Sequence, residues 1–105
     1  MKMYILIKDT VPDELAPVIA AHASLACFRV FENDPYMQKW IQESFKKVIC
    51  KVNHKEFEKA SRIKSSLPMT ESTLGSEYIC VALSPRPDHD WPNVIKFAKK
   101  WTPSK

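Results

Sequence analysis

Met3-Tyr4-Ile5-Leu6-Ile7 is an unbroken apolar run closed by the polar trio Lys8-Asp9-Thr10. A continuous apolar run of this length is the pattern of a strand buried on both faces. Beyond Thr10 the period changes. Val18, Ala21, Leu25 and Phe28 form one helical stripe, and Leu15, Ile19, His22 and Ala26 form a second. The spacing predicts a helix that begins between Thr10 and Ala16 and runs to about Phe31. Pro12, Asp13 and Glu14 suit its first turn, and Asn33-Asp34-Pro35 ends it. A helix apolar on every side is expected to be packed on both sides, with His22 hydrogen-bonded within the packing.

Pro35 opens a second predicted helix, Tyr36 to about Ser44, with Met37, Trp40 and Ile41 at helical spacing. Lys47 to Val52 reads as a strand. Asn53 or His54 caps a third, more polar helix to about Ser65, anchored by Phe57, Ala60 and Ile63. The stretch from Leu67 to Ser76 is too polar for a central strand and suits an edge strand or an active-site loop. Tyr78 to Leu83 is a strongly apolar strand, closed by Ser84-Pro85-Arg86-Pro87-Asp88. A final helix is expected over Trp91 to Trp101, with Pro92 in its first turn. The order β-α-α-β-α-(β)-β-α predicts one α/β domain, a mostly parallel sheet with helices on both faces. Ligands on such sheets bind outside the carboxyl ends of the strands. Lys8, Asp9 and Thr10 hold that position on the first strand, Ser84 and Arg86 on the last.

Length and composition narrow the picture further. A chain of 105 residues with 45% hydrophobic content builds a single, modest core. The net charge of +4 favours an anionic partner such as nucleic acid, though weakly. Lys46, Lys47, Lys51, Lys55, Lys59, Arg62 and Lys64 cluster in the middle; Lys96, Lys99, Lys100 and Lys105 cluster near the end. Interspersed acids make most of these solvated surface. Cys27, Cys50 and Cys80 include no C-x-x-C pair and sit among apolar neighbours. They read as buried free thiols in a reducing, cytoplasmic setting. The first apolar run is too short for a membrane span or signal core, so no membrane association is expected.

Several residues invite chemistry. His22 suits a general base, because its ordinary pKa lies near 6.5, or a core histidine satisfied by a carbonyl or carboxylate. Asp9, where a strand gives way to a helix, suits either a proton acceptor or a cap. Lys8 suits a phosphate contact, oxyanion stabilisation or a solvated strand end. Glu71, inside Thr70-Glu71-Ser72-Thr73, suits water activation beside hydroxyls or a polar turn. Cys27 and His22 are five apart and form no dyad. Asp88-His89-Asp90 lacks a second cluster at ligand spacing, so no metal is expected. Trp40, Trp91 and Trp101 read as core or interface anchors before stacking platforms.

From Met3 to Trp101 the chain resembles the type-2 peptidyl-tRNA hydrolase family. The resemblance rests on the strand ending in Lys8-Asp9, the segment Ala20-Ala21-His22-Ala23, the strand Val48 to Val52, and Ile79 to Leu83 followed by Ser84-Pro85-Arg86-Pro87. The His-Ala segment and the strand with its Pro-x-Pro ending are the more specific features. The resemblance implies a mixed four-stranded sheet, cleavage of the ester joining a peptide to the terminal ribose of tRNA, no metal or organic cofactor, and often a homodimer. It implies catalytic roles for His22, Asp9 and Glu71 and substrate binding by Lys8, Thr73 and Arg86.

Leu15 stands where the family has a lysine, and Ile19 where it has a glutamine. The family's Asp-Ala-Gly-x-Thr segment is represented by Glu71 with neighbouring hydroxyls. These departures are most similar to the divergent branch of peptidyl-tRNA hydrolase domain-containing proteins. They leave two expectations open: an ester hydrolase acting on the tRNA acceptor end, or a non-catalytic RNA- or protein-binding module on the same fold.

Overall fold

The computed structural model describes residues 1–103, so Lys105 lies outside the described residues. Five strands form one mixed sheet in the order β3-β4-β1-β2-β5: β1 is Lys2–Lys8, β2 Lys46–Val52, β3 Ser66–Thr70, β4 Tyr78–Arg86 and β5 Lys99–Lys100. Central β1 runs parallel to β2, with Ile5 opposite Ile49, and antiparallel to β4, with Ile5 opposite Ala82. β3 is antiparallel to β4, and β5 to β2. It follows that β1, β2 and β3 point the same way.

The unbroken apolar run becomes β1 because both of its faces are covered. Met3, Ile5 and Ile7 meet helix α1 (Ala16–Val30) and, with Met37 and Trp40, build one core. Leu6 turns the other way and packs with Cys50, Val52, Val81 and Leu83 beneath Phe57, Ala60, Trp91 and Ile95. Helix α2 (Pro35–Lys39) joins the first layer; α3 (His54–Ser61) and α4 (Asn93–Lys96) form the second. Burying an aliphatic side chain of this kind contributes roughly 1.5–3 kcal/mol.

Local chemistry sets the ends of these elements. The Asp34 carboxylate accepts the Tyr36 N–H at 2.8 Å and caps α2. A wide π-type turn, Trp40–Ser44, follows, ending at Phe45 in a left-handed conformation with φ 55°. Asn53 and Glu56 form a reciprocal capping box at α3, with bonds of 2.8 and 2.9 Å.

The sheet is not mostly parallel as expected: only β1 and β2 pair in parallel, and the other three pairings are antiparallel. Three further features depart from expectation. First, the sheet has five strands rather than four, because the last helix is short. After α4 the chain lies against the open edge of β2, where the Trp101 N–H donates to the Ile49 carbonyl at 2.8 Å. An unpaired strand edge is a row of waiting donors and acceptors, and here it outcompetes helical propagation. Second, β4 continues through Pro85 to Arg86. Proline is tolerated because the register with β1 is irregular between Lys2 and Tyr4. Third, α1 is packed on one side only. It buries Ala16, Ile19, Ala23 and Cys27 over β4 and β1, while Leu25 on its outer side is 63% exposed.

Candidate functional site

Because β1, β2 and β3 are co-directional, their carboxyl ends share one end of the sheet. Lys8 and Asp9 arrive there from β1, Asn53 from β2, and Thr70 and Glu71 from β3. The loop from Glu71 to Glu77 returns to the start of β4 at the same end, and Lys99 opens β5 beside them.

Lys8 is nearly buried, an uncommon state for a lysine. Its Nζ donates to Glu77 Oε1 at 3.1 Å and lies 4.6 Å from the centre of the Phe57 ring. The aromatic face and the carboxylate together replace the lost water. Asp9 is exposed; its backbone N–H donates to the Val52 carbonyl at 2.8 Å, closing the end of the β1–β2 pair. A shallow groove of ≈ 350 Å³ opens between Asp9, Lys51, Asn53, Glu56 and Lys99.

Glu71 precedes a short 3-10 turn, Ser72–Leu74, and its Oε1 gathers three donors: the Thr73 N–H at 3.4 Å, Thr73 Oγ1 at 3.3 Å and Ser72 Oγ at 3.5 Å. The bonds are long, but all three converge on one oxygen. Gly75 leaves this turn with φ 88°, a conformation that a side chain resists. The carboxylate is therefore held by its own loop, and Thr73 serves it as a donor.

His22 does not join this group. It lies on the solvent side of α1, exposed, and its ring makes no hydrogen bond among the described residues. The expected buried, bonded imidazole is corrected here. The sheet takes neither expected stripe whole: α1 buries Ala16, Ile19, Ala23 and Cys27, and His22 lies off that line in water with Val18, Ala21 and Leu25.

Arg86 is also displaced from the expected place. β4 is antiparallel to β1, so its carboxyl end sits at the amino end of β1, with Arg86 opposite Lys2. There Arg86 Nη2 donates to Asp34 Oδ2 at 2.9 Å and its guanidinium lies over the Tyr36 ring at 5.3 Å. It braces the start of α2 at the opposite end of the sheet from Asp9 and Glu71.

The positions of Leu15 and Ile19 are apolar in fact as well as in name. Ile19 is part of the first core, and Leu15, Leu74 and Met69 pack against that core. The Lys8 ammonium lies on the other face, against Phe57, and does not fill the place of Leu15. Cys27, Cys50 and Cys80 are free and buried. Burial pushes Cys27 and Cys80 up to about 12 and Cys50 up to about 11. Held as thiols, they are poor nucleophiles.

Sequence reasoning overlooked Glu77, Asn53 and Lys99 as members of this end of the sheet. Asn53 and Glu56 carried a signal, the N-x-x-E capping pattern. Glu77 carried none, because only the loop conformation brings it to Lys8. Away from the strand ends, an apolar groove of ≈ 520 Å³ runs between α1 and β2, walled among others by Ala21, Leu25, Phe28, Trp40, Phe45 and Ile49.

Compared with protein-family models and with curated proteins, the chain finds no match. No helix among the described residues is long and apolar enough to cross a membrane.

Proposed function

We propose that this protein is an ester hydrolase of the type-2 peptidyl-tRNA hydrolase kind, cleaving a peptide or N-blocked amino acid from the 3′ end of tRNA in the cytoplasm. One observation carries the reading. The shared direction of β1, β2 and β3 collects Lys8, Asp9, Glu71 and Thr73 at one end of the sheet, where ligands of α/β sheets bind.

In this reading Glu71 takes a proton from water as the water oxygen attacks the ester carbonyl carbon. The bond to the ribose oxygen then breaks, and that oxygen receives the proton. Thr73 and Ser72 hold Glu71 in place. Lys8 acts through Glu77 as a positioning residue, tethering the loop that carries Glu71. Asp9, exposed at the rim, orients the terminal ribose. The apolar groove beside α1 supports pairing of two copies as the quaternary state.

A second reading is favoured by a specific observation: apolar Leu15 and Ile19 close the place where the family keeps lysine and glutamine. It makes the protein a non-catalytic module that binds RNA or a protein partner through the same end of the sheet. Release of free tRNA from N-acetylated aminoacyl-tRNA separates the two. Turnover by the purified protein, lost in Glu71→Gln, supports the hydrolase; tRNA binding without turnover supports the module.

A further inference from the structure

The outer face of α3 carries Lys55, Lys59 and Arg62 at positions i, i+4 and i+7, so they form one stripe. All three are exposed. None has an ion-pair partner among the described residues. The acids of the same helix are already engaged. Glu58 pairs with His54 at 2.6 Å, and Glu56 accepts the Asn53 N–H in the capping box. The stripe is thus a row of three cations without ion-pair partners among the described residues, about 10 Å long, from seven residues at ~1.5 Å each.

Its place in the fold matters. α3 leaves the carboxyl end of β2 directly, so the stripe starts at the rim of the groove containing Asp9, Asn53 and Lys99. The inner face of α3 presents Phe57 to Lys8, and the stripe lies on the opposite side. His54, Lys55, Glu58, Lys59 and Arg62 together line a shallow trough of ≈ 360 Å³. The helix has no large exposed apolar side chain, since Phe57 is only 5% exposed. A membrane-surface helix would need one. Three cations outnumber one carboxylate, Glu58 bonded to His54, along the trough, and this positive excess suits a polyphosphate backbone.

We propose that the Lys55–Lys59–Arg62 stripe is the rail on which the acceptor stem of tRNA lies, held by its phosphates without base readout. This rests on the hydrolase reading for the identity of the RNA. The rail sets the direction of the substrate: the stem descends along α3 and the 3′ end reaches the strand ends. Lys99, beside Asp9, is the next cation along that path.

The test compares wild type, the triple variant K55E/K59E/R62E and the control K39E, whose exposed lysine lies on α2 in the other layer. Each is measured for tRNA affinity across salt concentrations and for hydrolysis of two substrates, N-acetylated aminoacyl-tRNA and the N-acetylaminoacyl ester of adenosine. Removing three cations that each neutralise a phosphate should reduce the salt slope by roughly 2–3. The triple variant is expected to show that reduction, a KM for the tRNA substrate raised at least tenfold, and unchanged cleavage of the adenosine ester. Wild-type tRNA binding without any hydrolysis, still abolished in the triple variant, upholds the rail and removes the hydrolase reading. Hydrolysis with the same KM and salt slope in wild type and triple variant overturns the rail and leaves the hydrolase reading standing. An equal loss in K39E, or wild type that does not bind tRNA, also overturns the rail. Phosphatidylserine vesicles are the last arm; binding to them that only the triple variant loses, with tRNA affinity unchanged, makes the stripe a lipid surface instead.

Discussion

The ammonium of Lys8 meets the carboxylate of Glu77 at 3.1 Å although Lys8 is almost wholly buried and Glu77 lies mainly in solvent. A buried cation is thereby anchored to the last residue of the loop that leads into β4. Removing the anion leaves the cation with only the Phe57 ring. Glu77→Ala, which removes the acceptor as well as the charge, is expected to destabilise the fold by about 1–3 kcal/mol, the cost of stranding a buried polar group. Lys8→Met, which removes the charge as well as the bond, is expected to be near neutral. Urea unfolding of the two variants checks the asymmetry; equal losses would show that the pair contributes as a unit.

Glu71 and His22 should separate cleanly in kinetics. Glu71→Gln keeps the loop bonds but removes the proton acceptor, and turnover is expected to fall by roughly 10²–10⁴-fold. His22→Asn changes an exposed side chain with no bonded partner, so stability should stay within about 0.5 kcal/mol and turnover should hold. A large kinetic loss in His22→Asn at full stability would return the imidazole to the chemistry.

Asn53 ties the end of β2 to the start of α3 through the capping box. Asn53→Ala is expected to cost about 1 kcal/mol, read as a lower midpoint in urea with an unchanged slope. Asn53→Asp should retain most of the stability, since a carboxylate can accept the same Glu56 N–H and favours the helix N-terminus.

The three thiols give the fold an alkaline limit. Their folded pKa values of about 11 to 12 lie above the reference of 9.0. Between these values the folded state holds protons that the unfolded chain has released. Stability from this source is full below pH 9 and declines as pH rises from 9 towards 11. Each thiol contributes a slope of about 1.4 kcal/mol per pH unit in that window. Unfolding curves taken every half unit should show the decline, and Cys27→Ala should make it shallower.

The parts of the fold that read directly from sequence are those decided by burial. β1 was legible because both faces of Met3 to Ile7 are covered, and β4 because Ile79 to Leu83 is apolar throughout. What escaped was set by neighbours rather than by local pattern. β5 exists because β2 offers an open edge, and nothing in Lys99-Lys100 announces a strand. Phe97, 77% exposed, falls inside the expected final helix, which the structure ends at Lys96.

The placement of the candidate residues was legible in part. Lys8, Asp9, Glu71 and Thr73 follow from strand ends and the shared direction of three strands. Arg86 was misplaced because the direction of β4 relative to β1 is not written in either segment. Its pairing with Asp34 and Tyr36 depends on that direction alone. His22 was misplaced because the sheet takes neither expected stripe whole: small residues, Ala16, Ala23 and Cys27 with Ile19, form the buried line, and the imidazole lies off it.

The central position of β1 has a consequence during synthesis. β1 leaves the ribosome before its neighbours, yet one of its two partners is Tyr78–Arg86. At about 5–20 residues per second, the nascent chain carries a sticky apolar strand with an unpaired edge for several seconds. Pairings so distant in sequence also slow refolding relative to a helical protein of equal length. Yield in the cell should therefore depend on holdase capacity and translation speed more than on the stability of the finished sheet.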